Sequence, residues 1–296
     1  MNTLPASVWP APAKLNLFLH ILGRRKDGYH ELQTIFQFLD LCDKVAIRLR
    51  HDGEIHRLKG ATGIAAEKDL VVRAARALQR AANCPLGADL EVTKRIPMGA
   101  GLGGGSSDAA TTLVALNELW GLDWPRARLA ELGLSLGADV PVFVQGRAAW
   151  AEGVGERLTP LYPPLAPDEH NYLILKPNVS VSTAAVFQEP QLTRNSPPLT
   201  ISGFFATGGR NDCTQVVCQR YPEVAAALDF LSAFGDARLT GTGACVFLAC
   251  ATQDAAREIM RRLPKTLEGY LARGLNDSPL LEKTGGRLST GCVRVR

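Results

Sequence analysis

The chain has 296 residues, 46% hydrophobic and 21% charged, with 33 Lys and Arg against 29 Asp and Glu for a formal charge of +4. That is a globular composition, long enough for two domains of ~100–200 residues or one barrel of ~250, and it excludes a disordered chain. The charge excess is too small and dispersed to mark a nucleic-acid binder, and no uncharged apolar run reaches the ~20 residues of a membrane span. Nor does the lead before Leu15 to Leu22 carry the basic region or cleavage site of a signal peptide, so a cytoplasmic protein is expected. Seven cysteines, odd in number and without a C-x-x-C, read as small buried hydrophobes.

In chain order, residues 13–22 alternate, with Leu15, Leu17, Leu19 and Ile21 on one face and Lys14, Asn16, Phe18 and His20 on the other. Period 2 predicts a strand with one packed and one mixed face. Asp27-Gly28 is a turn signal, and strand-like runs follow at 32–39 and 44–50. Three strands before any helix disfavour a plain βαβ series. Residues 68–82 have helical spacing, 89–96 read as a strand, and a helix closed by Gly121 follows. A further helix is expected over 125–136 and a strand over 148–154. Four prolines between Leu158 and His170 suggest a boundary, giving domains 1–160 and 161–296. The second half offers a strand at 172–176, helices near 211–234, a glycine turn leading into a strand, a helix at 252–262 and a basic tail.

Residues 97–107 are the most informative stretch. Gly99, Gly101, Gly103, Gly104 and Gly105 are five glycines in seven residues, between a strand and a helix. Such a turn can aim several N–H groups inward, and Ser106 or Ser107 is expected to cap the helix, whose N-terminus favours negative charge. The result is a phosphate cradle, with a nucleotide as its natural occupant. A Walker A loop needs a lysine where Gly105 stands. Gly99-x-Gly101-x-x-Gly104 satisfies the dinucleotide fingerprint by letter, but two helices fill the distance at which a strand ending in an acid is required.

P-M-G-A-G-L-G-G-G-S-S at 97–107 resembles the nucleotide loop of the GHMP kinase superfamily. P-A-K-L-N at 12–16 resembles its first motif, and Leu239 to Phe247, L-T-G-T-G-A-C-V-F, its third. Order and spacing match over nearly the whole chain, except for 281–296, which matches nothing. The stretch from Lys14 to Thr34, with LGADVPVF and Asn211-Asp212, is similar to the branch that phosphorylates the 2-hydroxyl of a cytidine-diphosphate ester of methylerythritol, in non-mevalonate isoprenoid synthesis. Other branches (homoserine or mevalonate-type kinases) and a non-catalytic nucleotide-binding regulator are the alternatives.

The resemblance implies a two-domain α/β (α+β) fold, with a ribosomal protein S5 domain 2-like N-terminal ATP-binding domain, a C-terminal ferredoxin-like substrate domain, and the site between them. It implies ATP as co-substrate, held by Pro97, Met98, Gly99, Ala100, Gly101, Leu102, Gly103, Gly104, Gly105, Ser106 and Ser107, with Lys94 near the adenine end or simply a strand-edge lysine. Asp139, in G-A-D-V-P, would be the base at the end of a helical segment that Pro141 stops, and Lys14 its partner. Asn16 would bind substrate. Tyr29 and Phe187 would stack on the two faces of cytosine, with His30 on its edge and Thr183 nearby. For an unselected sequence, a turn aspartate, an exposed lysine and a packed aromatic are equally ordinary fates of these residues. No acidic pair reads as a magnesium site, so Mg²⁺ is expected to arrive on the ATP phosphates. A monomer or weak homodimer is expected.

Overall fold

The computed structural model describes residues 6–285, so Cys292 and the tail beyond 285 lie outside the described residues. The first strand, β1 (Ser7–Arg24), pairs antiparallel with β2 (His30–Arg50). Two strands were expected within β2, with a break near Asp40 to Asp43, but the chain runs straight through. Its polar residues are satisfied without a turn. Asp40 accepts from the Arg273 N–H at 2.8 Å, and Asp43 accepts from the N–H groups of Arg95 and Ile96 at 2.5 and 2.8 Å. β1 also departs from expectation. Register shifts between Pro12 and Lys14, Asn16 and Leu19, and Ile21 and Gly23 interrupt its alternation, and both faces are buried.

After β3 (Ile55–Lys59), helix α1 (Leu70–Ala82) opens on Asp69, whose side chain accepts from the Val71 N–H, and buries Val71, Val72, Ala74, Ala75 and Leu78. Strand β4 (Gly87–Thr93) leads through the glycine loop into α2 (Gly104–Leu119). This helix is apolar on nearly all sides and is correspondingly buried, from Ala109 to Leu116. Then come α3 (Arg126–Leu134), α4 (Val140–Gln145), β5 (Ala149–Gly153) and β6 (Arg157–Pro160). Along one edge β2 pairs with β5, then β10 (Glu268–Leu275), then β4, while β1 occupies the other.

The second half contains β7 (Asn171–Lys176), α5 (Thr183–Gln188), α6 (Ile201–Thr207), α7 (Thr214–Arg220) and α8 (Pro222–Ser232). They are followed by β8 (Ala237–Leu239), β9 (Val246–Cys250), α9 (Gln253–Arg261), β10 and α10 (Pro279–Lys283). Its sheet runs β10-β7-β9-β8, all antiparallel, and is backed by α8 and α9, as in a ferredoxin-like unit. The short elements β3, β6, α4, α5, α6, α10 and also β10 were not expected from the sequence. Each is too brief, or too irregular in its apolar spacing, to show a period.

One core lies between the first sheet and α1 to α4, and a second under the C-terminal sheet. A third fills the seam, where Leu15, Leu17, Phe18 and Ile35 meet Tyr172, Ile174 and Phe247. Leu280 of α10 returns to the first core. No helix among the described residues is long and apolar enough to cross a membrane.

Candidate active site

The glycine loop needs its glycines for two physical reasons. Gly99, Gly101 and Gly103 have φ of +64°, +79° and +72°, which side chains resist, and a Cβ on Gly101 would lie 2.4 Å from the Thr240 carbonyl oxygen. Main-chain bonds pin the loop from both halves. The Lys14 N–H donates to Leu102 O at 3.0 Å, and the Cys245 N–H to Ala100 O at 3.1 Å. Gly103, not Ser106 or Ser107, is the N-cap of α2, because its left-handed conformation starts the helix one turn earlier than the serines suggest. The first intrahelical bond from this end is Ser107 N–H to Gly103 O, so the N–H groups of Gly104, Gly105 and Ser106 precede it, at the positive end of the helix. Ser107 is fully buried and its Oγ has no partner. Pro97 to Ser106 line a cleft whose other wall is Ala61, Ile64, Lys68, Asp69 and Leu70, none of which the sequence had suggested.

Lys94 borders this cleft, but its ammonium is engaged beneath the loop by the Asp43 carboxylate and by Asp108 at 2.7 Å. Burial disfavours its charge, yet the carboxylates of Asp108 and Asp43 outweigh that and hold Lys94 above its usual value. Burial pushes the Asp108 carboxyl up against the pull of Lys94, with the Asp43 charge adding to the rise. A lysine committed to two buried carboxylates anchors the loop.

Lys14 and Asn16, only 3% exposed, project from β1 at the seam. Lys14 Nζ lies 2.5 Å from Asn16 Oδ1, 3.0 Å from Gly101 O and 3.4 Å from Asp139 Oδ2. The glycine loop and the carboxylate thus meet on one ammonium. Asp139 was expected to end a helix, whereas it is the N-cap of α4. Pro141 does not stop that helix but sits in its first turn, where a missing N–H removes no intrahelical bond. No cap bond ties up the Asp139 side chain, which is one-third exposed.

Tyr29, at the end of the turn between β1 and β2, is 64% exposed and faces a second cleft with Leu134 to Ala138 and Glu156. The ring of Phe187, on α5, stacks on His30, centroids 5.0 Å apart and planes at 21°. His30 is buried, and its Nε2 accepts from Arg194 Nε at 3.1 Å. Burial first, then the charges of Arg194 and Arg24, hold His30 below its usual value. Arg194 also donates to the carbonyls of Phe187, Glu189, Pro190 and Leu192, so it gathers the end of α5 around the histidine. It stands in a Pro-rich loop, which gives no sequence signal. Thr183 Oγ1 is 2.9 Å from Thr242 Oγ1, which joins α5 to the β8–β9 turn.

The model of GHMP kinases, N terminal domain, matches residues 69–147, and that of GHMP kinases, C terminal, matches 208–269. The 4-diphosphocytidyl-2-C-methyl-D-erythritol kinase of Pseudomonas syringae pv. syringae (strain B728a) is 56% identical over 279 residues, covering 94% of this chain and 98% of that one. Its namesake in Thiobacillus denitrificans (strain ATCC 25259 / T1) is 54% identical over 277 residues, with 94% and 98% covered. Among solved structures, a 4-(cytidine 5'-diphospho)-2C-methyl-D-erythritol kinase superposes with a TM-score of 0.77 at 33% identity, over 90% of this chain and 99% of that one. A mevalonate kinase, 17% identical with a TM-score of 0.63 over 92% of this chain and all of its own, shares the fold. The chain belongs to the 4-diphosphocytidyl-2-C-methyl-D-erythritol kinase family of the GHMP kinases.

Proposed function

We propose that this protein transfers the γ-phosphoryl group of ATP to the 2-hydroxyl of 4-diphosphocytidyl-2-C-methyl-D-erythritol, and so acts in isoprenoid precursor synthesis. The observation that carries this reading is the Lys14 ammonium, shared between Gly101 of the phosphate loop and the Asp139 carboxylate. A phosphate cradle and a carboxylate base are useful to each other only at such a separation.

Asp139 takes the hydroxyl proton as the substrate oxygen bonds to the γ-phosphorus and the bond to the β-phosphate oxygen breaks. Lys14 faces the charge that develops between them, and the free N–H groups at the start of α2 hold the phosphates. Tyr29, His30, Phe187 and Thr183 hold the cytidylyl end, the aromatic faces giving area and the histidine edge giving the choice of base. The described residues contain no group of three His, Cys, Asp or Glu side chains able to hold a metal. Ser107 Oγ, buried without a partner, and the Asp139 carboxylate, one-third exposed beside Lys14, are the oxygen donors that would hold a Mg²⁺ ion brought on the ATP phosphates. Such an ion would supply charge neutralisation on the phosphate oxygens.

The test is a coupled assay with ATP-Mg and the cytidylyl substrate, with mevalonate and homoserine as rivals. Turnover of the first alone is expected. Equal turnover of a rival without cytosine overturns the substrate assignment, and no ADP release with any of them overturns the kinase reading.

A further inference from the structure

The contact between Lys14 and Asp139 has a buried support behind it. Lys14 Nζ has three hydrogens and three acceptors around it: Asn16 Oδ1, Gly101 O and the Asp139 carboxylate. Which end of the Asn16 amide faces the ammonium therefore matters. Its oxygen accepts from Lys14, whereas its NH₂ group would set hydrogens against hydrogens and push the lysine aside.

Thr34 decides between the two ends. Asn16 Nδ2 lies 2.9 Å from Thr34 Oγ1, and Thr34 Oγ1 lies 2.5 Å from the Phe18 carbonyl oxygen. A carbonyl only accepts, so the threonine's one hydrogen is committed to Phe18. Its oxygen can then only accept from Asn16, which fixes Nδ2 toward Thr34 and Oδ1 toward Lys14. Thr34 is 1% exposed, leaving solvent little room to supply another partner. The arrangement depends on the irregular pairing of β1 with β2. Thr34 sits opposite Leu19, and the register shift between Asn16 and Leu19 spans Phe18.

We propose that Thr34 is a positioning residue for phosphoryl transfer, whose hydroxyl orients the Asn16 amide and, through it, the Lys14 ammonium against Asp139. This rests on the reading of Lys14 and Asp139 given above. Thr34 touches neither substrate nor phosphate in this scheme. Its effect falls on the geometry of the reacting groups, and so on kcat, with little on the grip of either substrate.

The test compares Thr34→Val, which keeps the shape and removes the hydroxyl, with Thr34→Ser, which keeps the hydroxyl and removes a methyl group. Both are made in the full chain, assayed with ATP-Mg and the cytidylyl substrate, and melted. Thr34→Val is expected to lower kcat ~10- to 100-fold, with both KM values within ~3-fold. Thr34→Ser is expected to keep kcat within ~3-fold even though the lost methyl lowers its Tm. A merely structural threonine would leave kcat of the folded protein unchanged in both. Full activity in Thr34→Val, or a loss in Thr34→Ser as deep as in Thr34→Val, overturns the proposal. If Thr34→Val does not fold, Thr34→Ser against Thr34→Ala isolates the same oxygen atom. Asp139→Asn run alongside separates two kinds of failure. If it stays active, the reading of the site is wrong; if it is dead while Thr34→Val is normal, only the role of Thr34 is.

Discussion

The glycine-loop cleft and the group of side chains around Tyr29, His30 and Phe187 are built from different materials. The glycine-loop cleft is made of main chain, with three positive-φ glycines, a helix start, and backbone bonds from Lys14 and Cys245 that clamp the loop from either half. The proposed cytidylyl side is made of side chains carried by distant elements. Tyr29 sits at a turn, His30 at the head of β2, and Phe187 on a six-residue helix, the last two drawn together by one stack and one arginine. A main-chain site admits almost no substitution, because a Cβ has nowhere to go. A side-chain site degrades in steps, one contact at a time.

Asp139 reaches the glycine loop through Lys14 and directly follows Ala138 of the second cleft, so its loss is expected to be the largest effect and to leave both clefts intact. Asp139→Asn keeps the shape and removes the base. It should lower kcat by about 10²–10⁴-fold while ATP binding, read by calorimetry, stays within a few-fold. A near-normal rate would remove the base from the scheme and leave the clefts without a shared chemistry.

Gly101→Ala tests the main-chain side. Its Cβ would meet Thr240 O at 2.4 Å on a residue with φ of +79°, so the loop or the β8–β9 turn must shift. A loss of ~10²-fold in kcat/KM for ATP is expected, with a stability cost of about 1–3 kcal/mol. Gly121→Ala is the control, since φ there is +65° but nothing lies within 4 Å. It should lower Tm alone. If the two variants behave alike, backbone strain and not the close approach governs the loop.

Phe187→Ala tests the side-chain side, and a smaller, one-sided response is expected. Losing a stacking face is worth ~1–3 kcal/mol, so KM for the cytidylyl substrate should rise about 5- to 150-fold and KM for ATP hardly at all. Equal changes in both would mean that Phe187 only props up His30, on which it stacks here.

The same contrast decides what could be read from the sequence. Glycines at 99, 101 and 103 announce the loop because the conformation they permit is closed to other residues. Lys14 and Asp139 come from elements 125 residues apart in the chain, and nothing in the spacing joins them; the family motif did, and the seam between the halves brings them within reach of each other. Periodicity found α1, α2 and α3 because each keeps an apolar pattern over at least nine residues. It missed the continuity of β2, since Asp43 reads as a break until Lys94 and the Arg95 and Ile96 amides arrive to pair it. It took Pro141 for a stop where it is a start, because a proline's meaning depends on where the helix begins. Arg194 carries no local signal at all, as its partners are mostly carbonyl groups, which every residue has.

Arg194 therefore offers the finest probe of the side-chain cleft. It is one of two cations, with Arg24, that act with burial to hold His30 below its ordinary value of 6.5. Between that depressed value and 6.5 the unfolded chain binds more protons than the folded one. The contribution to stability is thus complete above about pH 6.5 and is lost as pH falls toward the folded value. Arg194→Met removes one cation and should move the His30 titration, followed by NMR, upward and flatten the acid side of the stability curve. His20 is depressed in the same direction, by burial and by Arg210 against the pull of Asp212, so some slope must remain. Arg194→Lys keeps the charge but not the planar fork over the carbonyls. It should restore part of the titration shift without restoring the order of α5. If the His30 titration does not move in Arg194→Met, the arginine gathers the helix end only, and the electrostatic tuning of the histidine comes from burial and Arg24.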